Sequence, residues 1–157
     1  MSPDAAVALL QNVPTFAGLP DDALRTLAEG AERRTLARGE TLFKAGEIGD
    51  VGYVLASGRL ELICEQPRKR LATLLPGALV GELALLVDLP RSCAARAIDP
   101  TELLVLPRAL FRAMLASVPE AAVQLRDLFQ ERVETTLSDL DALRRERLEG
   151  PAPARRR

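Results

Sequence analysis

The sequence predicts an α+β fold in which an antiparallel β-sandwich or barrel is flanked by helices. Turn residues recur at intervals of about eight to twelve positions between Thr35 and Leu106, a spacing typical of sandwiches and barrels. Apolar residues at helical spacing precede and follow this region. A length of 157 residues fits one domain. We predict a single domain over 1–150, with N-terminal helices in 1–34, a β-roll in 35–107, C-terminal helices in 108–149 and a disordered tail at 151–157.

The first 30 residues contain two predicted helices. Ala, Val and Leu at close spacing predict a helix over Asp4–Gln11, and a turn follows at Pro14. A second helix is predicted to begin at residues 20–22, Pro-Asp-Asp, because acidic residues are favoured in a first helical turn. Gly30 is predicted to end this helix.

Short apolar runs between the turn residues predict six strands. The connection at residues 66–69 is typical of an exposed hairpin tip. The predicted strands are Thr41–Phe43, Tyr53–Ala56, Arg59–Cys64, Arg70–Leu74, Ser92–Ala97 and Thr101–Pro107.

Helical spacing returns after Pro107, first in a helix at Arg108–Ala116 and then in a long helix at Glu120–Leu148. The long helix would extend about 43 Å at ~1.5 Å per residue, too far to bury one face on a small β-domain. It has a heptad-like seam, so we predict a homodimer through residues 120–148. The seam residues are Phe129, Val133, Thr136, Leu140 and Leu143.

Composition excludes several classes of function. The net charge of −1 gives no sign of a nucleic-acid-binding domain, and the basic residues Arg155–Arg157 are interpreted as a solvated terminus. Histidine is absent, which excludes Ser-His-Asp and Cys-His catalysis and His-ligated metal or haem sites. No nucleophile–base pair is visible, so we expect neither an enzyme nor a cofactor.

The two cysteines and the lack of targeting segments indicate a location. Cys64 and Cys93 form neither a CxxC pair nor a metal-binding spacing, and Cys93 is interpreted as a small buried residue rather than a redox switch. No secretory signal and no membrane-length apolar stretch occur. These features predict a cytoplasmic protein without a membrane span.

The candidate ligand-binding residues of the sequence lie in Pro76–Ala97. Gly81 permits close approach of the backbone to another group, and the residues after it can form one or two helical turns. This Leu-rich stretch contains Glu82 and Arg91, and both charges need partners. Either the two side chains form an ion pair, or a ligand completes each of them.

Three motifs resemble the cyclic nucleotide-binding domain family, over about residues 9–148. Gly81-Glu82-Leu83-Ala84-Leu85-Leu86 followed by Pro90-Arg91-Ser92 resembles the phosphate-binding cassette of catabolite-activator-type regulators and of cAMP-dependent kinase regulatory subunits. Residues 42–50 with 53–58 resemble the upstream strand–turn–strand signature, and residues 13–19 resemble the helical entry of the family. The resemblance implies an antiparallel jelly-roll, or double-stranded β-helix, with a long C-terminal helix.

The resemblance also implies roles for single residues. Arg91 would bind the cyclic phosphate and Glu82 the ribose 2′-hydroxyl of cAMP. The ligand could also be cGMP, because Ser92 could reach a guanine amino group. Thr136 would contact the purine from the long helix. The remaining implied ligand-binding residues, which supply backbone N–H groups or space, are Val80, Gly81, Leu83, Ala84, Ser92 and Cys93.

The sequence departs from the family pattern at a few positions. Val80 replaces a common Phe, Cys93 and Ala94 replace Ala and Thr, and Gly52 stands where a strand usually has an apolar residue. Only seven residues follow Gly150, with no helix-turn-helix, so we expect no direct binding of DNA. The expected output is an unidentified effector protein. The alternative is a ligand-free domain of the same fold that acts as a dimerisation or interaction module.

Overall fold

The structure, a computed structural model, describes residues 1–65, 68–127 and 130. Residues Met1–Ala122 form one compact unit, and the chain from Val123 onward forms another. Residues 119–127 are helical. Most of the predicted helix at 120–148, Thr136 and the tail at 151–157 lie outside the described residues, and the predictions for them stay predictions.

Three helices begin and end close to their predicted bounds. Helix α1, Pro3–Gln11, begins where the Ser2 hydroxyl accepts a hydrogen bond from the Ala5 N–H at 3.2 Å, as N-cap residues do. Helix α2, Asp21–Gly30, has two acidic residues in its first turn. Helix α3 spans Arg108–Ser117. The Phe16 and Phe111 rings, 6.4 Å apart, join the segment after α1 to α3.

In the described residues, eight strands form two antiparallel four-stranded sheets, which confirms the predicted fold class. One sheet has the order β1-β8-β3-β6 and the other β2-β7-β4-β5. The strands are β1 Glu32–Leu36, β2 Thr41–Phe43, β3 Val51–Ser57, β4 Leu60–Glu65, β5 Arg68–Leu74, β6 Leu79–Val80, β7 Ala94–Ala97 and β8 Thr101–Pro107.

Strands β1 and β6 were not predicted. Strand β1 begins at Glu32, so the predicted boundary between helices in 1–34 and a β-roll from 35 is wrong by a few residues. Leu36 is its one buried residue, and the segment therefore lacks the alternating apolar pattern of a half-buried strand. Its pairing along β8, from Glu32 opposite Val105 to Leu36 opposite Thr101, defines it.

The core lies between the two sheets. Gly52, which stands where a strand usually has an apolar residue, lies inside β3 opposite Leu106. A Cβ at Gly52 would come within 3.2 Å of the Leu85 side chain. The missing side chain therefore leaves room for Leu85 of the segment after β6. The principal core residues are Leu36, Leu42, Phe43, Tyr53, Leu55, Leu60, Val80, Ala95, Ala97 and Leu103.

Glu61 is a buried carboxylate on β4, and its side chain is only 8% exposed. It accepts hydrogen bonds from Nη2 of Arg96 at 2.7 Å and from Nε of Arg70 at 3.0 Å. The bonds from Arg96 are the main reason that the pKa of Glu61 lies below its ordinary value; burial opposes this, and Arg70 adds to it. Two cations thus compensate the buried charge.

We expect Glu61→Gln to reduce the acid sensitivity of the fold. A carboxyl whose folded pKa is lowered stabilises the fold above its unfolded pKa, and this contribution is lost as the pH falls through the folded pKa. The wild type should therefore lose stability below about pH 4, and the variant should lose less. At pH 7 the variant should lose about 1 kcal/mol of unfolding free energy, because both arginines can turn to solvent.

Urea unfolding at pH 7 and at pH 3.5 measures both effects. Asp4→Asn is the matched control, because Asp4 forms a surface ion pair with Arg25 at 3.4 Å and its side chain is 87% exposed. That pair should contribute little. Equal pH dependence in wild type and Glu61→Gln would contradict the role assigned to the Glu61 cluster.

Candidate functional site

The candidate site is built on residues 79–93, which connect β6 to β7. Gly81 follows β6 with a φ of +73°, and a 3-10 helix, Glu82–Leu85, comes next. The backbone of Arg91 is fixed on the loop between β2 and β3: its N–H donates to the Glu47 carbonyl and its carbonyl accepts from the Gly46 N–H, both at 2.7 Å. This loop therefore places Arg91 beside the start of β3.

The Arg91 side chain is held by a carbonyl and two aromatic rings. Its Nη2 donates to the Val51 carbonyl at 3.0 Å. Its guanidinium carbon lies 4.5 Å from the Phe43 ring centroid and 5.9 Å from that of Tyr53. The two rings stack on each other at 6.2 Å. A guanidinium over aromatic faces is attracted electrostatically, so these contacts orient a cation without neutralising it.

The charge of Arg91 has no direct carboxylate partner in the described residues. Its pKa is lowered mainly by burial, while the charges of Tyr53, Glu47 and Asp50 act in the opposite sense. Among the ion pairs of residues 1–65 and 68–127, none includes Arg91. The Glu82–Arg91 ion pair left open by the sequence is therefore not formed. A half-buried cation without a counter-charge favours binding of an anion.

Two glycines make the space that the guanidinium occupies. A Cβ at Gly81 would overlap Nη1 of Arg91, and a Cβ at Gly49 would overlap Nη2. Gly81 is thus required both by its φ and by its close approach to Arg91. The resemblance implied that Gly81 leaves space at the ligand site, and in the structure the Arg91 guanidinium lies against it.

Glu82 lies at the start of the 3-10 helix and is half-buried. Its Oε2 accepts a hydrogen bond from the hydroxyl of Thr15 at 3.4 Å. Thr15 lies in the buried turn after α1. The Glu82 carboxylate therefore faces a hydroxyl donor, which is the chemistry expected of a group that binds a sugar hydroxyl.

The other predicted site residues differ in burial and in the element on which they lie. Val80 is buried and pairs with Tyr53, and Leu83 lies in the 3-10 helix. Ala84 is buried and its N–H donates to the Gly81 carbonyl at 3.1 Å, so it could join a phosphate cradle only by leaving that bond. Ser92 is exposed and Cys93 is buried. Thr136 is outside the described residues.

Arg108, the first residue of α3, was not predicted as a site residue. Its Nε donates to the Ala84 carbonyl at 2.7 Å, and its Nη2 donates to the carbonyls of Val87 at 3.0 Å and Gly49 at 3.3 Å. Its Nη1 pairs with Asp88 at 2.8 Å. Arg108 therefore ties α3 to both loops that hold Arg91. A cation in a first helical turn opposes the helix dipole. This unfavourable position was the feature of the sequence that could have singled out Arg108.

The described part of the chain contains neither a metal-binding cluster nor a membrane-spanning helix. Within it, no group of three or more His, Cys, Asp or Glu side chains could hold a metal ion. No described helix combines the length and the apolar character needed to cross a membrane.

This chain is similar in sequence to a protein-family model and to several known proteins. The family model described as "cyclic nucleotide-binding domain" matches residues 33–118. A cyclic AMP receptor protein of Thermus thermophilus is 32% identical over 137 residues, 85% of this chain and 63% of its own length. A cAMP-dependent protein kinase regulatory subunit of Yarrowia lipolytica is 30% identical over 133 residues, 85% of this chain and 35% of its own length.

Solved structures agree with the sequence relatives. The N-terminal domain of a transcriptional regulator from Streptomyces coelicolor is 32% identical and superposes with a TM-score of 0.74, over 84% of this chain and 94% of that domain. The catabolite activator protein of Thermus thermophilus, 34% identical, has a TM-score of 0.67 over 85% of this chain and 64% of its own. This chain spans less than two thirds of the first curated relatives.

Proposed function

Because this chain belongs to the cyclic nucleotide-binding domain family, we propose that it binds cAMP and regulates a partner protein without converting the nucleotide. The observation that carries the proposal is the Arg91 guanidinium, which is half-buried, oriented by Phe43 and Tyr53, and outside every ion pair of the described residues. A cyclic phosphate carries one negative charge, and its two exocyclic oxygens match the fork of a guanidinium.

Glu82 is proposed to bind the ribose 2′-hydroxyl. It already accepts a hydroxyl hydrogen bond from Thr15, and a sugar hydroxyl would make the same kind of bond. The ribose at Glu82 and the phosphate at Arg91 would then contact opposite ends of the 81–91 segment. Arg108 holds this segment against α3, so a ligand that reorders it would also act on α3.

Two relatives support cAMP as the nucleotide, since their names are those of a cyclic AMP receptor protein and a regulatory subunit of a cAMP-dependent kinase. Ser92, which directly follows Arg91, is exposed. Because its hydroxyl could reach a guanine amino group, cGMP is the second candidate ligand. Thr136 is proposed as the purine contact.

The proposed output passes through the C-terminal residues. We propose that residues 120–148 pair with a second copy of the chain and that the dimer acts on an effector protein. Sedimentation of the full chain tests the pairing, and a monomer at micromolar concentration would contradict it.

Calorimetric titration of the nucleotide-free chain with cAMP, cGMP and linear 5′-AMP tests the binding proposal. We expect micromolar or tighter binding of cAMP, weaker binding of cGMP, and little heat from 5′-AMP. Chromatography of the cAMP after hours with the protein should show no product, as a binding domain requires. If neither cyclic nucleotide gives heat or raises the melting temperature, the chain is not a nucleotide sensor, because a ligand of the folded state must stabilise it.

A further inference from the structure

The two cysteines of the chain lie at the same end of the paired strands β4 and β7. Strands β4 and β7 pair antiparallel, with Leu62 opposite Ala95 and Ile63 opposite Ala94. Cys64 follows Ile63 in β4 and Cys93 directly precedes Ala94, so each cysteine lies one residue beyond the last pair of this ladder. Residues opposite each other in an antiparallel ladder direct their side chains to the same face. Both thiols are free.

The ladder geometry next to the two cysteines is compatible with a disulfide. Opposite residues of an antiparallel pair have Cα atoms about 4.5–5.5 Å apart, and disulfides join Cα atoms about 4.4–6.8 Å apart. We propose that Cys64 and Cys93 form a reversible intramolecular disulfide that ties the chain just after Arg91 to strand β4. The sequence alone could not indicate this, because 28 residues separate the cysteines and only the register brings them together.

The two thiols have different parts in the reaction. Cys93 is 8% exposed, and burial raises the pKa of its thiol; contact with Ser92 lowers it, and the nearby Cys64 raises it further. Cys64 is half-buried and more accessible, so it reacts first. Its thiolate attacks oxidised glutathione, forming a mixed disulfide and releasing one glutathione thiolate.

Cys93 completes the exchange. Its thiol loses a proton to solvent and attacks the Cys64 sulfur, which forms the protein disulfide and releases the second glutathione. Glutathione disulfide is reduced by two electrons, and the protein dithiol is oxidised by two. The reverse exchange with reduced glutathione or dithiothreitol restores both thiols.

The consequence for the Arg91 segment rests on the proposed function, but formation of the bond does not. Cys93 lies two residues after Arg91, so the bond would fix one end of the proposed phosphate cradle. The reaction is measured without nucleotide, so its failure is distinguishable from a failure of nucleotide binding.

The test is oxidation of the full chain by glutathione disulfide, followed by intact mass, thiol titration and a non-reducing gel. The wild type should lose both thiols and two hydrogen atoms, migrate as a single chain, and gain a higher melting temperature that dithiothreitol reverses, because the closed loop restricts the unfolded state. Cys93→Ser should stop at a mixed disulfide on Cys64, and Cys64→Ser should leave Cys93 largely unmodified.

Three results would overturn the proposal. One is a wild type that keeps glutathione on Cys64 while Cys93 stays a thiol. Another is a wild type whose thiols both remain free under conditions that modify Cys64 in Cys93→Ser. The last is a disulfide that joins two chains instead of closing within one.

Discussion

Replacing Arg91 by alanine is expected to weaken cAMP binding by about 2–5 kcal/mol, the cost of truncating one side of a buried charge pair. This corresponds to a rise in Kd of roughly 30-fold to several thousand-fold. The guanidinium is oriented by Val51, Phe43 and Tyr53 and has no carboxylate to neutralise it in the described residues. A bound phosphate would therefore supply a direct counter-charge. Calorimetric titration measures the change.

The same substitution should not destabilise the nucleotide-free protein. A half-buried cation without an ion pair costs free energy, so its removal should leave the urea midpoint unchanged or raise it. Arg91→Lys keeps the charge but loses the fork of donors, and its affinity should fall between those of the wild type and the alanine variant. Arg112→Ala is the matched control, because Arg112 is an exposed arginine of α3. Unchanged affinity in Arg91→Ala, with wild-type affinity in the control, would refute the phosphate site.

The fold was predictable wherever burial leaves a pattern in the sequence. Strands β2 and β8 have their predicted bounds, since apolar residues between clear turn signals define them. Strand β1 has four non-apolar residues, Glu32 to Thr35, and only its pairing with β8 makes it a strand. Strand β6 is two residues long, too short for any period to appear.

The charged residues of the site could be predicted from the sequence, but the residues that contact them could not. Spacing and resemblance singled out Glu82 and Arg91, and both lie in the 79–93 segment. The groups that hold them come from elsewhere in the chain: Val51 and Tyr53 from β3, and Thr15 from the turn after α1. These contacts depend on tertiary structure, which no local pattern encodes.

The loop between β2 and β3 is another part of the site whose contacts the sequence did not reveal. Its sequence predicted a turn, and its hydrogen bonds hold the backbone of Arg91 from both sides. Gly49 belongs to this loop, and its missing side chain admits the guanidinium. The resemblance to the upstream signature thus has a physical reason: this turn and the arginine are parts of one site.

Gly81→Ala is expected to damage the site in two separable ways. At φ +73°, alanine costs about 1–2 kcal/mol of stability. Its methyl group would also overlap the Arg91 guanidinium, so Arg91 must leave its place between Val51 and the two rings. We expect Kd for cAMP to rise by at least about tenfold, since a misplaced guanidinium loses about 1.4 kcal/mol or more of phosphate binding.

Two other glycines separate these effects. Gly39 has φ +83° and no atom within 4 Å of an added Cβ, so Gly39→Ala should lose stability and keep its affinity. Gly49 is outside the left-handed region, but its Cβ would overlap the guanidinium, so Gly49→Ala should keep more stability and lose affinity. Urea unfolding and cAMP titration of all three variants measure both quantities. If affinity instead follows stability across the three, the close approach of Gly49 and Gly81 to Arg91 has no part in binding.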